Sequence, residues 1–248
     1  YDIIFQLDGK NHSYLTSILI NSEKKFCIRF LKKKKFLNIN FKITRPNYFL
    51  NFFFNNSVLS IENYNLTNNK EFHYLSLYFK LLKNININIK STDHYLPLDN
   101  PTKISFFKDE YILIHVDQRW ETFSQDIVLN LLDNLNNLSN KNNLIITSNI
   151  GSNKVFKFIK KKLINNQNIK LIDEPDLHYI LSLVYFSKIC VSSHSGLIIH
   201  SAAAFKKKII DIVPPDIFNE LDRWIPLNIN YKRFDINKYY ISDFNFKS

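Results

Sequence analysis

The sequence is poor in glycine, methionine and cysteine, with three glycines, no methionine and two cysteines in 248 residues. It therefore carries no Gly-x-Gly-x-x-Gly loop, no P-loop and no Gly-x-Ser-x-Gly elbow, which removes the main support for common dehydrogenases, NTPases and hydrolases. Cys27 and Cys190 lie far apart in the sequence. We expect two buried thiols in a reducing compartment instead of a disulfide framework. No apolar run approaches the roughly 18 to 20 residues of a membrane span, and no signal-peptide pattern opens the chain.

The remaining composition is that of a basic globular protein. Hydrophobic residues make up 45% and aromatic residues 15%, and 33 Lys and Arg against 22 Asp and Glu give a net charge of +11. This charge favours anionic partners such as nucleotides, nucleic acid or an acidic lipid surface, without choosing among them. The chain opens at Tyr1 inside a strand-like run, which predicts that it is truncated at its N-terminus.

The first hundred residues predict part of an α/β domain. Predicted strands cover 1–7 and 26–30, predicted helices cover 12–20 and 71–82, a turn covers 8–10, and Asn68 or Asn69 caps the second helix. We expect the lysine run 32–35 to be a solvated loop and 41–64 to be loops with short extended pieces. Pro97 and Pro101 lie in a segment, 91–103, without apolar periodicity, which predicts a linker between domains 1–100 and 101–248.

The second half alternates regularly between short apolar strands and helices. Strands are predicted at 111–116, 144–147, 169–172, 189–191 and 209–213, and helices at 121–138, 153–164, 176–186 and 197–205. Strict alternation with short connections is typical of a parallel sheet with helices on both faces. Such sheets bind ligands beyond the carboxyl ends of their strands.

The stretch KICVSSHSGLIIHSAAAFKKKIIDIVPP (188–215) is a strand-turn-helix-strand unit within this domain. Ser195 and Gly196 fall where the helix begins, so unpaired amides and the helix dipole favour an anion there. The same polar turn could simply cap the helix. We expect the carboxyl ends of the strands to bring together a group of hydroxyl-rich, partly cationic side chains. Such a group suits a phosphorylated ligand better than a metal. Its members are His115, Asp117, Arg119, Thr147, Ser148, Ser193, His194, Ser195 and His200.

Two stretches of this half resemble the heptosyltransferase-like enzymes of glycosyltransferase family 9. SHSGLIIHSAAAFKKKIIDI is similar to that family's Asp-Thr/Ser-Gly-x-x-His motif, small-residue helix and Lys-rich turn, and ILIHVDQRWETF is similar to its strand and Arg-Trp segment. In the first half, YDIIFQLDGK and EFHYLSLYFKLLKNINI resemble the family's first strand and a His-containing helix. Three positions depart from the family's pattern: His194 replaces an acidic residue, Gln118 replaces a Lys, and His200 lies one place late, about 100° around the helix.

The resemblance implies an α/β fold of GT-B type, with two Rossmann-like domains of parallel sheets and an incomplete N-terminal one. About 60 residues, two strand-helix units, would precede Tyr1. Residues 1–100 would hold the acceptor, and residues 101–248 would hold a nucleotide-sugar. The implied donor-binding residues are Arg119, Ser193, His194, Ser195, Gly196 and His200. The implied catalytic base lies upstream, with Asp8 and Asp117 as weak candidates on this chain, each also readable as a turn residue.

The implied activity is an inverting, metal-independent glycosyl transfer to a cell-envelope glycan or lipopolysaccharide-type acceptor, with the nucleotide-sugar as substrate and no cofactor. The implied location is the cytoplasm, and lysines near 32 and at 157–162 could rest on the inner face of an anionic membrane or simply be solvated. Two alternatives stay open: a non-catalytic sugar-nucleotide or glycan-binding relative, and a basic nucleic-acid-binding protein. The aromatic residues are not interleaved with lysine in a stacking pattern, which speaks against nucleic acid.

Overall fold

A computed structural model describes residues 1–7, 11–36, 39–45, 52–61, 74–88, 93–102, 105–148, 153–214, 225–226 and 229–236. The chain divides into two compact units, Tyr1–Thr92 with Asn219–Trp224 and Asp93–Phe218 with Ile225–Ser248. The turn predicted at 8–10 and the cap predicted at Asn68 or Asn69 lie outside the described residues. That 1–100 is the acceptor domain and 101–248 the donor domain stays a prediction.

The first unit is a small sheet with helices. Its elements are β1 (Ile3–Gln6), α1 (Asn11–Leu19), β2 (Lys24–Phe36), β3 (Ile39–Arg45), β4 (Asn56–Ile61) and α2 (Tyr74–Lys83). β1 and β4 pair with β2 in parallel, and β3 pairs with it in antiparallel. The central strand β2 therefore organises this unit.

Alternation along β2 gives the unit two small cores. Phe26 and Ile28 pack with Leu77 and Leu81, which lie one helical turn apart on α2. Cys27, between them, packs with Tyr14 of α1 and with Phe54. Successive residues of a strand face opposite sides of its sheet, so β2 serves both helices.

One prediction for the first unit was wrong, and a second was right only in part. Lys32–Lys35 form no loop, because their backbone continues β2 and pairs with Asn40–Ile43 of β3. The segment 41–64, predicted as loops with short extended pieces, contains most of strand β3 and all of β4, while its residues 46–51 and 62–64 lie outside the described residues. In both cases pairing with another strand decides the local structure, which local composition cannot show. The predicted helices at 12–20 and 71–82 are confirmed as α1 and α2 over their described residues.

The second unit is a six-stranded parallel sheet with helices. Its elements are β5 (Tyr111–His115), a 3₁₀ helix (Gln118–Thr122), α3 (Gln125–Ser139), β6 (Asn143–Ser148), α4 (Lys154–Leu163), β7 (Ile169–Asp173), α5 (Leu177–Phe186), β8 (Ile189–Ser192), α6 (Gly196–Ala204), β9 (Lys208–Val213) and β10 (Tyr231–Asp235). The strand order is β10-β9-β8-β5-β6-β7, and every neighbouring pair is parallel. The chain order reverses beside β5, which is where such sheets place ligands.

The sheet has an apolar core on each face. On one face, Ile112 and Ile114 pack with Leu135 of α3 and Phe156 of α4. On the other face, residues of alternate register, such as Leu113, pack with α5 and α6. The prediction of helices on both faces is confirmed.

Local signals explain where the helices of this unit begin. The side chains of Ser124, Asn153 and Asp176 accept hydrogen bonds from the backbone amides of Ile127, Phe156 and Tyr179, which fixes the starts of α3, α4 and α5. The predicted helix 121–138 therefore begins late, because 118–122 form a separate 3₁₀ helix. Strand β10 was not predicted.

Residues 93–102 of the predicted linker contain neither helix nor strand. Both cysteines are free and buried, as expected. The longest helix in the described ranges has 15 residues, and none of those helices has the length and apolarity that crossing a bilayer demands.

Candidate functional site

A row of polar residues crosses the carboxyl edge of the six-stranded sheet. His115 is in register with Thr147 on one side and Ser192 on the other, Ser192 with Asp211, and Asp211 with Arg233. Two residues earlier on four of these strands, the corresponding row is wholly apolar: Ile145, Leu113, Cys190 and Ile209. Register partners in a parallel sheet share a face. The polar row therefore lies on the face covered by α5 and α6, at the edge where α6 begins.

Helix α6 begins at this edge without a side-chain cap. Ser195 is its N-cap residue, with φ −70° and ψ 113°, but its side chain makes no capping hydrogen bond. The N-cap side chains of α3, α4 and α5 all do. The first amides of a helix have no intrahelical acceptor, so those of α6 can donate to a ligand. Ser193 is 1% exposed and its hydroxyl has no hydrogen-bond partner, which adds a buried polar group next to this helix start.

Gly196 is the first residue of α6, and packing does not require a glycine there. A Cβ built at this position would meet no heavy atom within 4 Å. Its φ does not fall in the left-handed region that favours glycine. A glycine that neither packing nor backbone conformation demands fits a place where another molecule approaches the backbone closely.

His194 is held by the buried carboxylate of Asp211. The backbone amide of His194 donates to Asp211 Oδ1 at 2.5 Å, and its Nδ1 lies 2.8 Å from Asp211 Oδ2. Tyr231 donates its hydroxyl to the same Oδ2 at 2.5 Å, and Arg233 Nε donates to the Tyr231 oxygen at 3.2 Å. His194 adopts φ +50°, a left-handed conformation in which histidine is enriched. Asp211 thus fixes the turn that leads into Ser195 and Gly196.

Asp117 and Arg119 form an ion pair after β5. Asp117 accepts from the backbone amide of Arg119 at 2.9 Å and from its guanidinium at 2.8 Å. Burial raises the pKa of Asp117, while its hydrogen bonds and ion pair with Arg119 oppose that rise. Asn153 Nδ2 donates to the Asp117 carbonyl at 2.7 Å. Both carboxylate oxygens hold this turn, whereas the Arg119 side chain is 48% exposed and can reach a ligand.

His115 is fully buried in the polar row. Its Nδ1 lies 2.9 Å from Thr147 Oγ1, and its Nε2 has no hydrogen-bond partner. Burial lowers the pKa of His115 to about 4. This histidine is therefore neutral at pH 7 and supplies hydrogen bonding to the edge, not charge.

His200 lies on the exposed side of α6, in a groove of about 460 Å³ between α5, α6 and residues 94–96. Its Nδ1 is 3.1 Å from His94 Nε2, and the two rings stack with centroids 5.2 Å apart. Gly196, one helical turn earlier, lines the same groove. The structure thus brings Gly196 and His200 to one surface of the second unit.

No cluster of three or more His, Cys, Asp or Glu side chains suited to a metal ion occurs among the described residues. The predicted donor-binding residues lie at three places in the second unit. Ser193, His194, Ser195 and Gly196 form one continuous turn and helix start, and Arg119 follows β5. His200 lies one helical turn beyond Gly196, in the groove that both residues line. Asp8 lies outside the described residues, and the roles predicted for all these residues stay predictions.

Sequence reasoning missed Asp211, Tyr231 and His94. Asp211 carried a usable signal, because it is the single charged residue within the apolar run 209–213, and buried charges are rare without a partner. Tyr231 belongs to the strand that was not predicted. His94 falls in a linker, where no local pattern marks a partner.

Comparison with known proteins rests on structure alone. No protein-family model matches the sequence, and no curated protein does so either. Among solved structures, a glycosyl transferase family 9 protein from Veillonella parvula DSM 2008 is similar, with TM-score 0.63 and 8% sequence identity. The alignment covers 94% of this chain and 62% of the Veillonella chain.

Two Escherichia coli structures are also similar. Heptosyltransferase WaaC with ADP matches 99% of this chain and 70% of its own, with TM-score 0.62 and 15% identity. ADP-heptose lps heptosyltransferase II matches 94% and 68%, with TM-score 0.57 and 12% identity. The chain spans about two thirds of the length of these structures. The α/β fold with parallel sheets expected from the resemblance is thus confirmed: this chain has the fold of the family 9 heptosyltransferases.

Proposed function

We propose that this protein is a glycosyltransferase. It moves a sugar from a nucleotide-diphosphate sugar to a saccharide or lipid-linked saccharide of the cell envelope. One observation carries the proposal. The uncapped start of α6, with an unpartnered Ser193 hydroxyl and a glycine that packing does not require, lies at the carboxyl edge of a parallel sheet. Such an edge is an anion site suited to a diphosphate.

The fold supports the choice of a nucleotide-sugar over other phosphorylated ligands. The structures with the same fold include a heptosyltransferase with ADP and a protein named for ADP-heptose. The net charge of +11 agrees with an anionic donor.

In the proposed reaction, the acceptor hydroxyl attacks the anomeric carbon as the bond to the diphosphate breaks, with inversion of configuration. A base removes the hydroxyl proton. The amides at the start of α6 and the Arg119 guanidinium would stabilise the charge that develops on the departing diphosphate, without a metal ion. Asp117 fits the base poorly, because both its carboxylate oxygens are engaged by Arg119.

A nucleotide panel tests the proposal. ADP, GDP, UDP, CMP and their sugars are titrated calorimetrically against this chain, with and without Mg²⁺. We expect one diphosphate family to bind selectively, equally well without Mg²⁺, and to lose affinity in Gly196→Val. Absence of binding by every member, in a folded protein, would contradict a donor site in the second unit.

Activity is tested separately from binding, by a turnover assay. Turnover of the selected nucleotide-sugar with a cell-envelope acceptor supports the transferase. Selective binding without turnover supports a non-catalytic sugar-nucleotide-binding relative. The motive for this alternative is His194, which stands where the family resemblance implies an acidic residue. Binding to single-stranded DNA or RNA that weakens with salt, in place of nucleotide selectivity, would support the nucleic-acid alternative.

A further inference from the structure

Asp211 and His194 form a pair whose geometry does more than hold a turn. The carboxylate is fully buried and contacts the same residue twice, through the backbone amide and through the imidazole Nδ1. A backbone clamp alone would need only the amide contact. The second contact holds the imidazole ring with its Nδ1 toward Asp211, a residue of β9.

This arrangement determines what the other ring nitrogen can do. Because a carboxylate only accepts hydrogen bonds, Nδ1 carries a hydrogen that it donates to Asp211 Oδ2. Nε2 is then the nitrogen available to a ligand, on a side chain that is 12% exposed. When the ring is protonated, Nε2 is a positively charged donor. His194 immediately precedes Ser195 and Gly196, at the proposed diphosphate site.

We propose that His194, oriented by Asp211 and Tyr231, contacts the diphosphate of the donor through its protonated Nε2. In this role it offsets the negative charge that the diphosphate gains as the bond to the sugar breaks. Asp211 is a positioning residue, since it acts through His194 and Tyr231 completes its hydrogen bonding. This inference rests on the proposed function, and it assigns a ligand contact to the residue that replaces the family's acid.

The proposal predicts that donor binding takes up a proton. An anion that binds the protonated imidazole more tightly than the neutral one draws a proton from solution, so its affinity falls as pH rises. The titratable group in contact with His194 is Asp211 on β9, which also accepts from Tyr231 on β10. Arg233 donates to Tyr231. The Asp117–Arg119 pair lies near enough to Asp211 for the charge of Asp211 to raise the pKa of Asp117. His115, in the same row, has a pKa of about 4 and stays neutral between pH 6 and 8.

The test uses the nucleotide-sugar selected by the panel, because its diphosphate is esterified at both ends and does not itself titrate near neutral pH. Affinity is measured by calorimetry at pH 6, 7 and 8, in buffers with different ionisation enthalpies. We expect affinity to fall as pH rises, by at most tenfold per pH unit, with net proton uptake. His194→Gln should weaken binding at pH 6 and remove both the pH dependence and the uptake.

Three further variants separate positioning from simple folding. Asp211→Asn should reduce proton uptake in a protein that still folds, as judged by circular dichroism and thermal unfolding. Tyr231→Phe removes one hydrogen bond to Asp211 but keeps the pair, and should retain the uptake. His178→Gln, on an exposed residue of α5, is the matched control and should change nothing.

The possible outcomes are distinct. Nucleotide-sugar binding that His194→Gln leaves unchanged at every pH, or proton uptake that survives His194→Gln, overturns this inference and leaves the proposed function standing. Absence of binding at every pH contradicts the proposed function itself. Loss of uptake only in His194→Gln, with Asp211→Asn unchanged, would keep the ligand contact and overturn the positioning role of Asp211.

Discussion

Gly196 offers the sharpest test of the site, because folding and binding should respond to its substitution in different ways. A Cβ at this position meets nothing within 4 Å, and the backbone there is not left-handed. Gly196→Ala should therefore leave stability unchanged or raise it by up to about 1 kcal/mol, since alanine restricts the unfolded chain and favours helix. Affinity for the donor diphosphate should fall.

The expected loss follows from the contacts at stake. A hydrogen bond from a backbone amide to a charged phosphate contributes about 1.5–3 kcal/mol. Each 1.4 kcal/mol is roughly tenfold in affinity, so displacement of one such contact weakens binding about 10- to 150-fold. Gly196→Val, with a larger β-branched side chain, should lose more than Gly196→Ala.

Calorimetry gives the affinities, and urea unfolding of the same samples gives the stabilities. Gln125→Val is the matched control, because it introduces the same side chain at the first residue of α3, whose N-cap Ser124 is engaged. It should not change the affinity. Unchanged affinity in both Gly196 variants would refute the placement of the diphosphate, and unfolding of Gly196→Ala would refute the argument from open space.

Three other predictions concern the same unit and the cysteines. Arg119→Ala should weaken diphosphate binding by about 1.5–3 kcal/mol by calorimetry, and a smaller effect would make Arg119 only a partner of Asp117. His115 has a folded-state pKa of about 4, below its unfolded value of 6.5, so the protein takes up a proton at His115 when it unfolds in mild acid. The free energy of unfolding should therefore be highest above pH 6.5 and about 2 kcal/mol lower at pH 5. Urea unfolding of wild type and His115→Leu at pH 7 and 5 tests this, and an equal loss in both would assign it to other groups. Burial raises the pKa of Cys27 and of Cys190 to about 12, so a thiol reagent should modify neither thiol in the native protein and both after unfolding; rapid native labelling would contradict their burial.

The parallel sheet of the second unit was predictable because its strands are short apolar runs separated by capped helices. Ser124, Asn153 and Asp176 mark helix starts through contacts within a few residues, which a sequence displays directly. Strand β10 was not predictable in this way, because Tyr231–Asp235 is largely polar. It becomes a strand by pairing with β9.

The first unit shows the same limit. The lysine run is typical of a solvated loop, yet its backbone pairs with β3. Local charge does not show that a partner strand follows, and strand preference depends strongly on such context.

The site divides along this line as well. Ser195 and Gly196 were predicted at a helix start from local sequence, and the structure places them there. The contact of Asp211 with His194 joins residues 17 positions apart, and the pairing of His94 with His200 joins residues 106 apart. Neither has a local signature, so the sequence indicated the loop but not the network that holds it.

The clamp on His194 also constrains how this loop can evolve. His194→Asp would place a second carboxylate against the buried Asp211. Two like charges so close in a buried setting are costly unless one is neutralised. Positions 194 and 211 are therefore coupled: a change of sign at one is tolerated only with a compensating change at the other.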